Sequence, residues 1–97
     1  MKMFKVYFNI PSAYTEKMIN AMANAGAGVF GNYSHCSFIT KGIGTAKPLT
    51  GSTPFTGKVN EIYHEEEDRL EMICSTQALE RVIDAIKENH PYEVPLI

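Results

Sequence analysis

The chain has 97 residues, 44% of them hydrophobic, and its 9 Lys+Arg against 11 Asp+Glu give a formal net charge of −2. A chain of this length has room for a single core, so we expect residues 1–97 to form one domain. The slight negative charge argues against a nucleic-acid partner. Neither a signal peptide nor a membrane span is recognisable, and two cysteines are too few for a disulfide framework. We therefore expect a reduced, cytoplasmic protein with no membrane contact.

The first third of the chain predicts a strand followed by a helix. From residue 3 to residue 10 apolar side chains alternate with other residues at the period of a half-buried strand, which Pro11 ends. Ser12 is a suitable helix cap, and apolar residues then recur at helical spacing. The predicted helix covers about 13–25, because Gly26 supplies a left-handed stop.

The middle of the chain predicts two further strands joined by a long loop. Alternation returns from residue 33 to about residue 40, with the predicted core side chains Cys36 and Phe38 on one face and His35, Ser37 and Ile39 on the other. Glycines, prolines and threonines dominate 41–58, a composition typical of a functional or mobile loop. The third strand is predicted over 59–74, with a possible break at the acidic run 65–68, whose simpler interpretation is a solvated bend.

A second helix and a short last strand complete the predicted order. Ser75 or Thr76 caps a helix with an apolar stripe that ends at Asn89 and Pro91. Residues 92–97 are predicted as a last strand or edge segment. The order βαββαβ is that of an α+β, ferredoxin-like sandwich, in which one antiparallel sheet carries both helices on one face. The other face would expose Met3, Tyr7, Ile39 and Ile73, and we expect self-association to cover it.

Two groups of residues in the first half of the chain have both a functional and a structural interpretation. Gly42-Ile43-Gly44-Thr45 resembles part of a phosphate-binding loop, but it lacks the lysine-serine ending, and flexible turn chemistry is the favoured interpretation. His35 and Cys36 are neighbours on a predicted strand and would point to opposite faces, so they cannot readily share a metal. Cys36 is predicted as a small core residue, and His35 as a ligand or interface residue.

Further candidates lie on the third strand and after the second helix. His90 at a helix C-terminus can act as a cap, or together with Glu93 and Glu67 it can bind a divalent metal such as zinc. Arg69 is most simply the ion-pair partner of the neighbouring carboxylates Glu67 and Glu71. Alternatively, its guanidinium binds the carboxylate or phosphate of a ligand through two parallel hydrogen bonds.

Several of these motifs together resemble a known domain. They are the run 26–38 with its Gly-Asn-Tyr-Ser-His-Cys-Ser-Phe, the 42–57 segment, Glu67-Asp68-Arg69-Leu70-Glu71 and His90-Pro91-Tyr92-Glu93. They resemble the inserted central domain of the GTP cyclohydrolase I type 2 homologues, also called Nif-three-like proteins. That domain is similar to the nitrogen-regulatory PII proteins and the CutA divalent-cation-tolerance proteins. The resemblance implies a PII/CutA-like fold, a homotrimer and a free-standing version of the insert, with no catalytic activity carried over from the flanking metal-binding halves.

Two functions follow as hypotheses. The first is a small regulatory, PII-like module that binds a ligand in a cleft between subunits and contacts a small molecule or protein partner through the 41–58 loop. Its predicted ligand-binding residues are Asn32, Tyr33, His35, Arg69, Glu71 and His90. The alternative is a CutA-like protein that binds a divalent metal through His90, Glu93 and Glu67. An enzyme is not expected, because no catalytic constellation is recognisable.

Overall fold

A computed structural model describes residues 2–97, in which three strands form one antiparallel sheet and two helices pack on one of its faces. The elements are β1 (Met3–Pro11), a short 3-10 turn (Ser12–Tyr14), α1 (Thr15–Asn24), β2 (Phe38–Ala46), β3 (Tyr63–Ser75) and α2 (Leu79–Asn89). The strand order is β1-β3-β2, with the long β3 paired antiparallel to both neighbours. Among residues 2–97 no helix has the length and apolar composition needed to cross a bilayer.

The core lies between the sheet and the two helices. Alternate side chains of β1 and β3 point to the helices because successive strand residues face opposite sides of a sheet. The strand residues of this core are Val6, Phe8, Ile10, Leu70, Met72 and Cys74, and they pack on Met18, Met22, Val82 and Ile86 of the helices. The predicted ferredoxin-like class, with both helices on one face, is confirmed.

The second strand differs from its predicted position. β2 begins at Phe38 instead of residue 33 and continues through Gly42-Ile43-Gly44-Thr45, which was predicted to be loop. Both glycines are in the ladder, where Gly42 pairs with Glu67 and Gly44 pairs with Glu65. β3 is continuous through its acidic run, because that run pairs with β2 throughout and with β1 in part.

The segment before β2 forms a turn that shifts the faces by one residue. His35 has a φ of 59°, and Phe30 and Tyr33 form an isolated bridge, so the chain is not extended there. Phe38 consequently lies opposite Glu71 on the uncovered face, and Ile39 lies opposite the buried Leu70 on the helix side, the reverse of the predicted arrangement. Cys36, predicted to be a core residue, lies outside the core, partly exposed in this turn.

The predicted last strand does not form. Residues 92–97 follow α2 as an irregular segment beside the free edge of β1. Pro91 and Pro95 have no backbone N–H to donate, which deprives a short segment of ladder bonds. A side chain makes the contact instead, because the Nε2 of His90 lies 2.8 Å from the carbonyl oxygen of Asn9 on that edge.

One buried carboxylate ties the sheet to the start of the first helix. Asp68 accepts hydrogen bonds from the Ser12 hydroxyl at 3.0 Å, the Thr15 hydroxyl at 2.7 Å and the Lys41 ammonium at 2.8 Å. Burial alone would raise the pKa of Asp68, but the hydrogen bonds from Lys41, Thr15 and Ser12 outweigh it and lower that pKa. Asp68 thus joins β3, β2 and the N-terminal end of α1.

We expect Asp68→Asn to lower the free energy of unfolding by about 1–3 kcal/mol. The neutral amide cannot replace a carboxylate that accepts hydrogen bonds from three donors, one of them a cation. Because the pKa is lowered in the folded protein, the Asp68 contribution is present above about pH 4 and is lost as pH falls through the folded pKa. Urea unfolding at pH 7 and below pH 4 measures both effects. Asp84→Asn on the exposed side of α2 is the control. Equal stability of the two variants at pH 7 would contradict this role.

Candidate functional site

A cavity of about 750 Å³ lies over one half of the sheet face that the helices leave uncovered. We call it the face cavity. Its floor is formed by residues of all three strands, among them Tyr7, Asn9, Gly44, Tyr63, Glu67 and Arg69. Its opposite wall comes from the connecting loop (residues 47–62) and the C-terminal segment (residues 90–97). The volume is within the range of small-molecule sites.

The hydroxyl of Tyr92 fastens the C-terminal segment to the floor of the face cavity. It lies 2.9 Å from Glu65 Oε2 and also donates to the Glu67 carboxylate. Burial raises the pKa of Tyr92, and the hydrogen bonds to Glu67 and Glu65 raise it further. The phenol therefore keeps its proton at neutral pH and remains a donor to the two carboxylates.

Gly44 makes room for one of these carboxylates. A Cβ on Gly44 would lie 1.8 Å from Glu67 Oε1 and 2.5 Å from Glu67 Cδ, closer than any real contact. The Glu67 side chain therefore lies across the bare backbone of β2 to reach Tyr92. Glycine is usually unfavourable within a strand, but it is required at position 44 because the Glu67 side chain lies so close to the backbone.

Both ring nitrogens of His90 are used within the fold. Its Nε2 donates to the Asn9 carbonyl, because that oxygen can only accept, and its Nδ1 accepts from the backbone N–H of Tyr92 at 3.1 Å. Burial lowers the pKa of His90, although the Asn9 bond and the nearby Glu67 oppose the shift. His90 thus positions Tyr92 as a neutral, fully hydrogen-bonded ring.

The connecting loop is held against the C-terminal segment by two contacts. The Glu93 carboxylate accepts the backbone N–H of Thr53 at 2.9 Å. The Phe55 ring lies between Tyr14 and Tyr92, with ring centroids 5.9 and 6.1 Å apart. The two segments therefore form a joint cover over the face cavity.

Arg69 lies on the cavity floor without a carboxylate partner. Its Nε donates to Asn9 Oδ1 at 3.1 Å, and its guanidinium lies 5.4 Å from the centroid of the Tyr7 ring. The predicted ion pairs of Arg69 with Glu67 and Glu71 are absent from residues 2–97, because Glu71 pairs with Lys5 at 3.3 Å and Glu67 bonds to Tyr92. The terminal nitrogens of Arg69 have no hydrogen-bond partner in the described chain.

The predicted ligand-binding residues do not meet within one chain. Of the six, only Arg69 lines the face cavity. The turn that carries Asn32, Tyr33 and His35 is exposed and is attached by Gly28 to Ile73, at the far half of β3. The other two lie elsewhere, Glu71 on the uncovered face beside Lys5 and His90 at the edge of β1.

The predicted metal ligands are also dispersed. Nowhere in residues 2–97 do three or more His, Cys, Asp or Glu side chains gather in a way that could hold a metal. Within one chain Glu93 binds the connecting loop and His90 has both nitrogens occupied. A divalent metal at His90, Glu93 and Glu67 stays a prediction.

The residues missed by the sequence analysis are aromatic residues of the face cavity, Tyr63 on its floor and Phe55 and Tyr92 on its cover. Tyr92 was visible within the His90-Pro91-Tyr92-Glu93 motif, where a phenol next to two ligand-type residues was the available signal. The other two carry no such signal, since Phe55 lies in a loop and Tyr63 joins the floor only through the pairing of β3.

The fold is that of a PII/CutA-like domain. The PII-like protein CutA from Nostoc sp. PCC 7120 in apo form matches with a TM-score of 0.65 over 99% of this chain and 75% of its own, at 24% identity. B. subtilis GlnK matches with a TM-score of 0.53 over 97% of this chain and 84% of its own, at 18% identity. These two likenesses show the fold.

Closer similarity connects the chain to a part of larger proteins. It is 44% identical over 93 residues to the GTP cyclohydrolase 1 type 2 homolog of Bacillus subtilis (strain 168), covering 96% of this chain and 24% of that protein. The corresponding protein of Halalkalibacterium halodurans is 39% identical over the same share of this chain and 25% of its own. The crystal structure of a Bacillus cereus protein related to NIF3 matches with a TM-score of 0.82 at 36% identity, over 97% of this chain and 24% of that one.

These matches confirm the resemblance to a domain of the GTP cyclohydrolase I type 2 homologues. The chain spans about a quarter of the length of the curated relatives it matches. No known family profile matches it.

We expect Gly44→Ala to lower the free energy of unfolding by about 1–2 kcal/mol, because the new methyl group displaces the Glu67 carboxylate from Tyr92. Gly42→Ala is the matched control two residues away on the same face of β2, since a Cβ there meets nothing within 4 Å. It should be neutral or slightly stabilising. Urea unfolding compares the two variants, and equal stability would show that Glu67 does not need the space above Gly44.

Proposed function

We propose that this domain is a regulatory, PII-like module that acts as an oligomer and binds a small ligand where subunits meet. The observation that carries the proposal is the division of the uncovered sheet face. One half lies under the connecting loop and the C-terminal segment and forms the face cavity. The other half presents Tyr7 and Phe38 to solvent, 50% and 66% exposed.

The exposed half of the face supports self-association. Tyr7, Phe38 and Met3 are large apolar side chains on one flat surface, and single soluble chains seldom expose such patches. A second copy placed against this half would border the face cavity, because Tyr7 belongs to both. The related folds of PII and CutA proteins agree with self-association, and a trimer is the assembly we propose.

A neighbouring subunit can bring the predicted residues of the exposed turn close to Arg69. Gly28, which anchors the exposed turn, bonds to Ile73, four residues along β3 from Arg69 and therefore roughly 13 Å away at 3.3–3.4 Å per residue. A neighbouring subunit can bring Asn32, Tyr33 and His35 of its own turn to the rim of the cavity. Residues 47–58 of the connecting loop belong to the 41–58 segment predicted to contact a partner. This part of the loop forms part of the cavity wall and can transmit ligand binding to the partner.

The cavity is better suited to binding than to catalysis. Its two carboxylates are engaged by Tyr92 and by the Thr53 N–H, and His90 is held as a neutral ring outside the cavity. None of these groups is arranged as a nucleophile next to a base. We propose a binding module, located in the cytoplasm, and not an enzyme.

We expect Phe38→Glu to dissociate the oligomer while the domain stays folded, because it places a charge in the proposed interface. Ile43→Glu is the matched control, on the same strand and 70% exposed but on the opposite face. Light scattering after size-exclusion chromatography gives the masses, and circular dichroism checks the fold. A wild-type protein that is a monomer at micromolar concentration, or an oligomer insensitive to Phe38→Glu, would overturn the proposal.

A further inference from the structure

The carboxylates of the face cavity have hydrogen-bond partners, but its two cationic side chains largely do not. Four charged residues line it, Lys47, Glu67, Arg69 and Glu93. Both carboxylates have hydrogen-bond donors, from Tyr92 and from the Thr53 backbone. Among residues 2–97, Lys47 has neither an ion pair nor a hydrogen bond, and Arg69 has none at its terminal nitrogens. The side-chain charges that remain free in the cavity are therefore positive.

Two contacts orient the exposed side chain of Arg69. Its Nε donates a hydrogen bond to Asn9 Oδ1, and its guanidinium lies beside the Tyr7 ring. The two terminal nitrogens are the part of the guanidinium that forms parallel hydrogen bonds to a carboxylate or phosphate. Because the two contacts already restrict the side chain, less conformational entropy is lost when an oxyanion binds.

Aromatic side chains line both sides of the cavity. Tyr7 and Tyr63 belong to the floor, and Phe55 and Tyr92 belong to the cover. Gly57 allows the cover to approach, since a Cβ there would lie 2.6 Å from Cδ1 of the Tyr63 ring. The φ of Gly57 is +84°, so glycine is favoured at this position for its backbone as well. Flat apolar groups fit between such rings.

We infer that the face cavity binds a small aromatic oxyanion, with the carboxylate or phosphate gripped by Arg69 and the ring held between the tyrosines and Phe55. The inference rests on the proposed function, since it names the ligand class of the same cavity. Lys47 adds a second positive charge at the cover. A neutral compound of the same shape leaves both cations without a partner and binds more weakly.

Isothermal titration calorimetry on the wild-type protein tests the ligand class with matched probes. Naphthalene-2-carboxylate should bind, its neutral amide should bind at least about tenfold more weakly, and acetate and inorganic phosphate should be weaker still because they lack the ring. Phenyl phosphate distinguishes a phosphate ligand from a carboxylate. Equal binding of the acid and its amide would overturn the inference.

Variants then test the role of Arg69. Arg69→Gln should weaken naphthalene-2-carboxylate at least about tenfold, and Arg69→Lys should retain part of the affinity because it keeps the charge but loses the fork. Arg81→Gln on the surface of α2 is the control and should bind as the wild type does. Undiminished binding by Arg69→Gln would overturn the inference.

Failure of the inference and failure of the proposed function give different results. A wild-type oligomer that binds neither acid refutes the ligand class and leaves the assembly standing. A monomer that binds naphthalene-2-carboxylate through Arg69 refutes the proposed assembly and leaves the ligand class standing.

Discussion

A sheet has two faces, and this domain has helices for only one of them. The helices bury the side of β1 and β3 that carries Val6, Phe8, Leu70 and Met72. The face cavity and the proposed interface both lie on the second face. Half of it is covered by the connecting loop and the C-terminal segment, which leave a cavity beneath them, and half remains open with large apolar side chains.

The cover over the cavity depends on side chains and not on a fourth strand. After His90, the C-terminal segment makes no backbone-to-backbone hydrogen bond among residues 2–97. It is held by the Tyr92 hydroxyl, the His90 ring and the Glu93 carboxylate. Such contacts can be broken one at a time without opening the sheet, so the cover can respond to a ligand more easily than a paired strand could.

Much of the fold could be predicted because the spacing of the apolar residues along the chain distinguishes a strand from a helix. The alternation in 3–10 and the helical stripe near Val82 and Ile86 were clear, and β1 and α2 formed where they were expected. Gly42 and Gly44 were misleading, because a segment rich in glycine is typical of a loop. Glycine is needed at position 44 for a tertiary reason, the Glu67 side chain above it, which no local pattern can show.

The site was harder to predict, because the register of the paired strands decides which of its residues lie beside each other. Arg69 was expected to pair with its sequence neighbours, yet its hydrogen bond is to Asn9, which is its partner across the β1–β3 ladder. Glu71 in turn pairs with Lys5, again across the ladder. The free guanidinium in the cavity is a consequence of these cross-strand pairs. His90 and Glu93 were predicted as metal ligands, and in one chain they hold the cover in place.

In the proposed assembly a second copy buries the open half of the uncovered face. Hydroxyl-radical footprinting at micromolar protein concentration measures this burial, since it compares Phe38 with Ile43, 66% and 70% exposed in a single chain. We expect Phe38 to be strongly protected while Ile43 reacts freely, and the protection of Phe38 to fade on dilution. Equal reaction of Phe38 and Ile43 at every concentration would contradict it.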